Sequence, residues 1–181
     1  NGFKQDGFGT FDVTIDNGKR QGVSRAYLNK INGYKNLSIE HDTDVSKIIF
    51  KEKKAIGVEV KKNNNSEIYY CNKEVILSSG SINSPKILQL SGIGDEKLLN
   101  KNGIDIINHL PGVGKNLQDH LEIYIQHKSK IKDTLYNLST NYLTQAIEGI
   151  KWFLLKKGML TYSHLEVGGF VKTSEKYNHP N

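Results

Sequence analysis

The sequence predicts an α+β fold, and three observations carry that expectation. Residues 36–79 hold several period-2 segments separated by polar turns, the pattern of an antiparallel β-meander. "EVILSSGSINSPKILQLSGIG" then runs from an apolar strand through a small-residue turn into a short apolar helix. A longer apolar stretch from about Tyr142 to Leu155, with Trp152 and Phe153, reads as a helix remote from the strands. Strands in one block and helices in another are the mark of that class.

The elements follow in order. Residues 1–22 are punctuated by glycine, with Phe11, Val13 and Ile15 alternating before the turn signal "DNGK". Ser24 can cap a short helix that puts Tyr27, Leu28 and Ile31 on one side. "NLSIEH" and "DVSKIIF" precede the turn "KEKKA", "IGVEV" precedes the loop tip "NNNS", and "EIYYCN" leads into a last, fully apolar strand at Val75-Ile76-Leu77. In the helix that follows, Ser84 is placed as N-cap and Pro85 at the first helical position. Ile87, Leu88 and Leu90 form its buried stripe, and Gly92 suits a left-handed stop. Gly80 lets the backbone come close to a neighbour at the strand end. Local chemistry leaves two readings of this turn. One is a seat for a phosphate or sugar edge at a helix N-terminus; the other, more common one is a tight turn packed on a core.

"DEKLLNKNGI" predicts a second short helix from Asp95 to a stop at Gly103. The Gly/Pro-rich "IDIINHLPGVGKNLQDH" connects it to "LEIYIQHK", where Leu121, Ile123 and Ile125 face one way and Glu122, Tyr124 and Gln126 the other. "HLEVGGFVKT" supplies a closing strand. The pattern changes near His120, which marks a domain boundary.

Bulk properties exclude several function classes. The net charge is +6, from 25 basic and 19 acidic residues. Arg20 and Arg25 are the only arginines and the lysines are scattered, unlike the clustered arginine forks of nucleic-acid readers. Cys71 is alone, so a disulfide framework and a cysteine metal site are excluded; it is expected to be a small buried or half-buried thiol. His109, His120, His127, His164 and His179 show no HxxxH or HExxH spacing, so no metal is expected. GxSxG, the P-loop and GxGxxG are absent. No apolar run reaches the roughly 20 residues that span a bilayer. The chain opens on Asn1 without a secretory signal, and it reads as an internal piece of a longer protein.

"GSINSPKILQLSGIG" resembles the second signature of the glucose–methanol–choline (GMC) oxidoreductases at Gly80, Ser81, Ser84, Pro85, Ile87, Leu88, Ser91, Gly92, Ile93 and Gly94. "LPGVGKNLQDHLE" resembles the family loop that follows. "GKRQGVSRAYL" resembles its upstream pattern, with Lys19 where the family has arginine and two residues separating Arg20 from Val23-Ser24. "NGFKQDGFGTFDVTI", "LPGVGKNLQDHLEIYIQ" and "HLEVGGFVKT" resemble the choline-oxidising members over essentially the whole chain.

The resemblance implies an α/β-type FAD-binding domain, present in part over 1–120, and the start of a substrate-binding domain over 121–181. It implies FAD as cofactor, choline oxidised to betaine aldehyde by hydride transfer to the flavin, and supply of the osmoprotectant glycine betaine. The electron acceptor stays open between oxygen and a respiratory chain. The implied location is cytoplasmic or peripheral to an inner membrane. The family's GxGxxG turn and catalytic histidine match no segment here, so no catalytic residue is assigned, and His120 matches a structural loop. Cofactor contacts implied by the resemblance are the backbone of Val45 and the turn at Gly80 and Ser81. The substrate contact is Glu122, placed where choline-oxidising members have a glutamate, because a trimethylammonium donates no hydrogen bond and calls for a carboxylate and aromatic faces. Tyr124 is a second pocket candidate and Glu166 a weaker one. A solvent-facing glutamate on an alternating strand fits the spacing of Glu122 equally well. A GMC enzyme for an uncharged alcohol, or a basic interaction module without catalysis, are the competing readings.

Overall fold

The computed structural model describes residues 6–63, 65–131, 134–161 and 165–180. In chain order its elements are β1 (Gly7–Thr10), β2 (Ile15–Asp16), β3 (Lys19–Arg20), a π-helical turn at Ser24–Leu28 passing into α1 (Asn29–Ile31), β4 (Asp44–Lys51), β5 (Lys54–Lys62) and β6 (Asn65–Tyr70). Then come α2 (Gly80–Leu90), β7 (Ile93–Gly94), α3 (Glu96–Lys101), β8 (Asn108–His109), α4 (Leu135–Thr140), α5 (Tyr142–Leu155), a 3₁₀ turn at Met159–Thr161 and β9 (Val167–Phe170). Mixed helix and antiparallel sheet bear out the α+β expectation. The chain divides into two compact units, Asn1–Leu37 with Ile125–Asn181, and Ser38–Tyr124.

In the unit Ser38–Tyr124, β4, β5 and β6 form the expected antiparallel meander in that order. β4 is an edge strand with register shifts at Val45/Lys47 and Ile49/Phe50, bulges that twist an edge away from unwanted pairing. Its Ile48 side chain is buried with Val60 of β5, Ile87 of α2 and Leu99 of α3. The helix α2 packs on β4, and one serine joins the two. Ser91 Oγ accepts the Ile48 N–H at 2.8 Å and donates to Ile87 O at 2.5 Å. The chain then turns at Gly92 (φ +83°), where a Cβ would stand 2.3 Å from Asp105 O. That stop was expected, and no other residue fits it. β7 and β8 pair in parallel, Ile93 with Asn108 and Gly94 with His109. The expected second helix is α3; Asp95 caps it by accepting Leu98 N–H at 3.1 Å, and Gly103 (φ +66°) ends the segment. Cys71 is half-buried beside Ala55 O.

Several local expectations change here. Residues 74–78 form no strand: Ile76 is 78 % exposed, and none of the described strands pairs with them. An apolar run fixes the appetite for cover on both faces but does not supply the neighbours. "NLSIEH" is irregular and is held by an ion pair, Glu40 to Lys62 at 2.7 Å. Ser84 is not the N-cap of α2 and Pro85 is not its first residue. The helix starts five residues earlier, at Gly80, because Gly80 (φ +84°) turns the chain there. Ser84 Oγ instead accepts Ser79 N–H at 3.0 Å. Pro85 therefore lies inside the helix and costs it one bond, the donor to the Ser81 carbonyl, which sits in the exposed first turn where water can serve it. Residues 121–128 also lack a ladder. Leu121 is 91 % exposed, and Ile123 and Ile125 are as open as Tyr124, so the alternating pattern has no sheet to face.

In the other unit, β1 and β9 pair antiparallel, from Gly7 with Phe170 to Thr10 with Val167, so the closing strand is where it was expected. β2 and β3 form a two-residue hairpin with Asn17 (φ 48°) and Gly18 (φ 64°) in the turn. Ser24 is helical and caps nothing; Val23 takes the boundary in helical conformation. The expected helix from Tyr142 to Leu155 is α5, capped by Asn141 Oδ1 on Leu143 N–H and Thr144 N–H. Trp152 Nε1 donates to Gly18 O at 2.7 Å and fastens the hairpin to this helix. Glu148, only 7 % exposed, accepts Lys151 Nζ at 2.5 Å and Met159 N–H at 3.0 Å. Its partners are what allow a carboxylate on the inward face.

Candidate functional site

The segment that carries Glu122 leaves an anchored loop. Gln89 Nε2 of α2 donates to Val113 O at 3.1 Å, and Lys115 lies 3.8 Å from the capping carboxylate Asp95. The Asp95 carboxyl is held below its ordinary pKa, first by the Leu98 N–H and also by Lys115. Asn116 takes a left-handed turn (φ 58°), and Asp119 Oδ1 accepts the His120 N–H at 2.9 Å. From Leu121 the chain has no regular secondary structure, and the Glu122 and Tyr124 side chains lie together. Tyr124 Oη donates to Glu122 Oε2 at 2.5 Å. That bond is the main cause that pushes the Tyr124 phenol above its ordinary pKa. Tyr124 remains 80 % exposed, so the pair is an open, polar feature rather than part of a closed core.

Val45 lies on the edge strand β4 opposite Val60, beside the first register shift, and is exposed. Gly80 and Ser81 form the exposed first turn of α2, and around Gly80 a Cβ would meet nothing within 4 Å. Pro85 has no N–H, so the Ser81 carbonyl lacks its helical donor. An exposed edge strand and an open helix start on packed elements can accept the polar edge of a dinucleotide. Val45, Gly80, Ser81, Glu122 and Tyr124 thus all belong to one unit, and among them the bonded pair is Glu122 with Tyr124.

Glu166 belongs to the other unit. Its carbonyl accepts Phe11 N–H at 2.9 Å, and the residue lines a cavity of about 490 Å³ with Phe11, Ile15, Asn17 and Lys156. His120 and His127 are exposed and His164 lies outside the described residues. No group of three or more metal-ligating residues occurs among the described residues. No helix among them is long and apolar enough to cross a membrane. Two contacts escaped the sequence reading. His109 Nδ1 accepts Glu96 N–H at 3.1 Å, and the Tyr124 hydroxyl bonds Glu122. The first depends on a partner brought close only by β8; the second was legible as a shared face but not as a bond.

Against known proteins, the model of the GMC oxidoreductase family matches residues 1–122. The chain is 45% identical over 181 residues, all of its length, to the oxygen-dependent choline dehydrogenase of Staphylococcus saprophyticus, covering 32% of that protein. It is 46% identical over 180 residues (99% of the chain) to the mitochondrial choline dehydrogenase of Homo sapiens, covering 30% of it. The chain therefore spans about a third of the length of the curated relatives it matches. Among solved structures it is similar to an FAD-dependent oxidoreductase from Chaetomium thermophilum, with TM-score 0.85 and 34% identity over 92% of this chain and 30% of that one. An Aspergillus oryzae formate oxidase matches with TM-score 0.82 and 26% identity over 96% of this chain and 30% of that one. The signature at Gly80–Gly94, the strand-and-helix scaffold beneath it and these matches agree: the chain belongs to the GMC oxidoreductase family.

Proposed function

We propose that this chain is the portion of an FAD-dependent choline-oxidising enzyme that contacts the cofactor's outer parts and holds the substrate's cation. The observation that carries the reading is Glu122: an acceptor-only carboxylate, tethered by Tyr124, in a chain similar along its whole length to choline dehydrogenases. A trimethylammonium offers neither N–H nor O–H, so charge and an adjacent aromatic ring are what a site can use to bind it. Glu122 supplies the charge and fixes which end of choline faces inward. FAD, when bound, accepts the hydride from the alcohol carbon. Val45, Gly80 and Ser81 fit that group through exposed backbone, with Gly80 leaving room for close approach. The sequence holds no GxGxxG, so these are supporting contacts, and no residue of this chain is assigned the hydroxyl proton.

The test uses a protein of the relatives' full length carrying this chain, reduced anaerobically by choline or by 3,3-dimethylbutanol, the same shape without the charge. Fast flavin bleaching by choline and slow bleaching by the neutral alcohol is the expected result. Equal bleaching by both, or by neither, would leave the family in place and remove choline as substrate. Glu122→Gln is expected to lower kcat/KM for choline about 10- to 100-fold, the size of a lost charged contact, with little change for the neutral alcohol.

A further inference from the structure

We infer that Tyr124 is a positioning residue for Glu122: its hydroxyl fixes one carboxylate oxygen so that the other is aimed at the substrate's cation. The inference rests on the reading of Glu122 as the cation-binding carboxylate. A glutamate on an exposed, irregular segment has several rotatable bonds, and ordering them on binding weakens affinity. Tyr124 removes that freedom in advance. It stands two residues on, on the same side, and its phenol reaches Oε2 at 2.5 Å as a charge-assisted bond. Oε1 has no partner among the described residues and stays available. The phenol's raised pKa agrees with this arrangement, because deprotonation would break the bond and set two anions side by side. Tyrosine suits the task in another way, since a stiff ring with few rotatable bonds loses little freedom in holding its hydroxyl still.

This role differs from that of a pocket wall. A wall needs the ring; positioning needs the hydroxyl. Tyr124→Phe keeps the first and removes the second, and Tyr124→Leu removes both. In the full-length flavoenzyme, Tyr124→Phe is expected to raise KM for choline about three- to tenfold, the range of an ordinary net hydrogen bond, since Tyr124 is exposed to water. It should leave kcat and the KM for 3,3-dimethylbutanol near their original values. In a Glu122→Gln background the same substitution should add nothing. NMR of ¹³Cζ-labelled tyrosine, with the Tyr124 signal identified by its loss in Tyr124→Phe, should show the phenol pKa falling toward the ordinary range in Glu122→Gln.

The outcomes separate cleanly. Tyr124→Phe matching the parent enzyme while Tyr124→Leu weakens choline makes the ring a wall and overturns positioning. Equal losses for choline and the neutral alcohol make Tyr124 structural, which also overturns it. If Glu122→Gln weakens choline and Tyr124→Phe does not, only the positioning role falls. If Glu122→Gln leaves choline selectivity intact, the cation-site reading falls and positioning with it.

Discussion

Ser91 shows how much a single hydroxyl can hold together. It accepts an edge-strand amide, Ile48 N–H, and donates to a carbonyl of its own helix, Ile87 O, both in a buried setting. Ser91→Ala leaves the Ile48 amide buried without a partner, and about 1–3 kcal/mol of stability should be lost in urea unfolding. An unchanged midpoint would mean that water reaches the amide. Glu148 gives a pH-dependent counterpart. Lys151 and then the Met159 N–H hold its carboxyl below the ordinary pKa. A depressed folded-state pKa contributes stability that is fully present above the unfolded carboxylate value and is lost as pH falls through the folded one. Thermal unfolding followed by circular dichroism should therefore show a midpoint that drops in acid, and Glu148→Gln should flatten part of that dependence. Neither partnership was legible in the sequence, because Ile48 is 43 residues from Ser91 and Met159 lies beyond the end of α5. Residue types announce appetite for a partner; the fold chooses the partner.

Helix boundaries test the same idea one level up. Gly92 and Gly103 were legible as stops because positive φ demands glycine, and α5 was legible at both ends from its apolar length. Gly92→Ala combines φ strain with a Cβ 2.3 Å from Asp105 O, and should cost at least about 2 kcal/mol. Leu99 of α3 is 1 % exposed, and Leu99→Ala should cost about 3 kcal/mol, measured in the same unfolding experiment. The start of α2 was misread for a physical reason. Ser-Pro is a strong helix-start signal, but Gly80 permits an earlier turn and the serine hydroxyl serves that turn instead. The runs at 75–77 and 121–125 were misread as strands because a strand is a property of two segments, and composition describes one. In the site, the shared face of Glu122 and Tyr124 came from period 2 alone. The roles of Val45, Gly80 and Ser81 came from the family signature, which no propensity argument supplies.

At the scale of the chain, apolar surface is the dominant fact. Each unit leaves large apolar side chains open among its described residues, such as Ile76 in one and Tyr142 in the other. Leu121, Tyr142 and Phe8 stand open, and α5 presents Leu143, Ile150 and Leu154 outward while Glu148 lies inward. Relatives about three times as long have further chain to lay on such faces. The 181-residue chain alone should therefore bind a hydrophobic dye strongly, and the signal should fall when the same chain is part of a full-length protein. Weak dye binding by the chain alone would mean that these faces find cover without additional sequence.

The bond from Trp152 to Gly18 has a practical consequence. Trp152 is the single tryptophan of the chain, half-buried, with the Lys156 ammonium 4.4 Å from its ring centre and its N–H committed to a residue 134 positions away. Indole emission depends on hydration and on nearby charge. Its colour and intensity therefore report one event without any label, the seating of the β2–β3 hairpin on α5. A red shift that precedes loss of helical signal during unfolding would show the hairpin detaching first; coincident changes would show the hairpin and helix melting as one body.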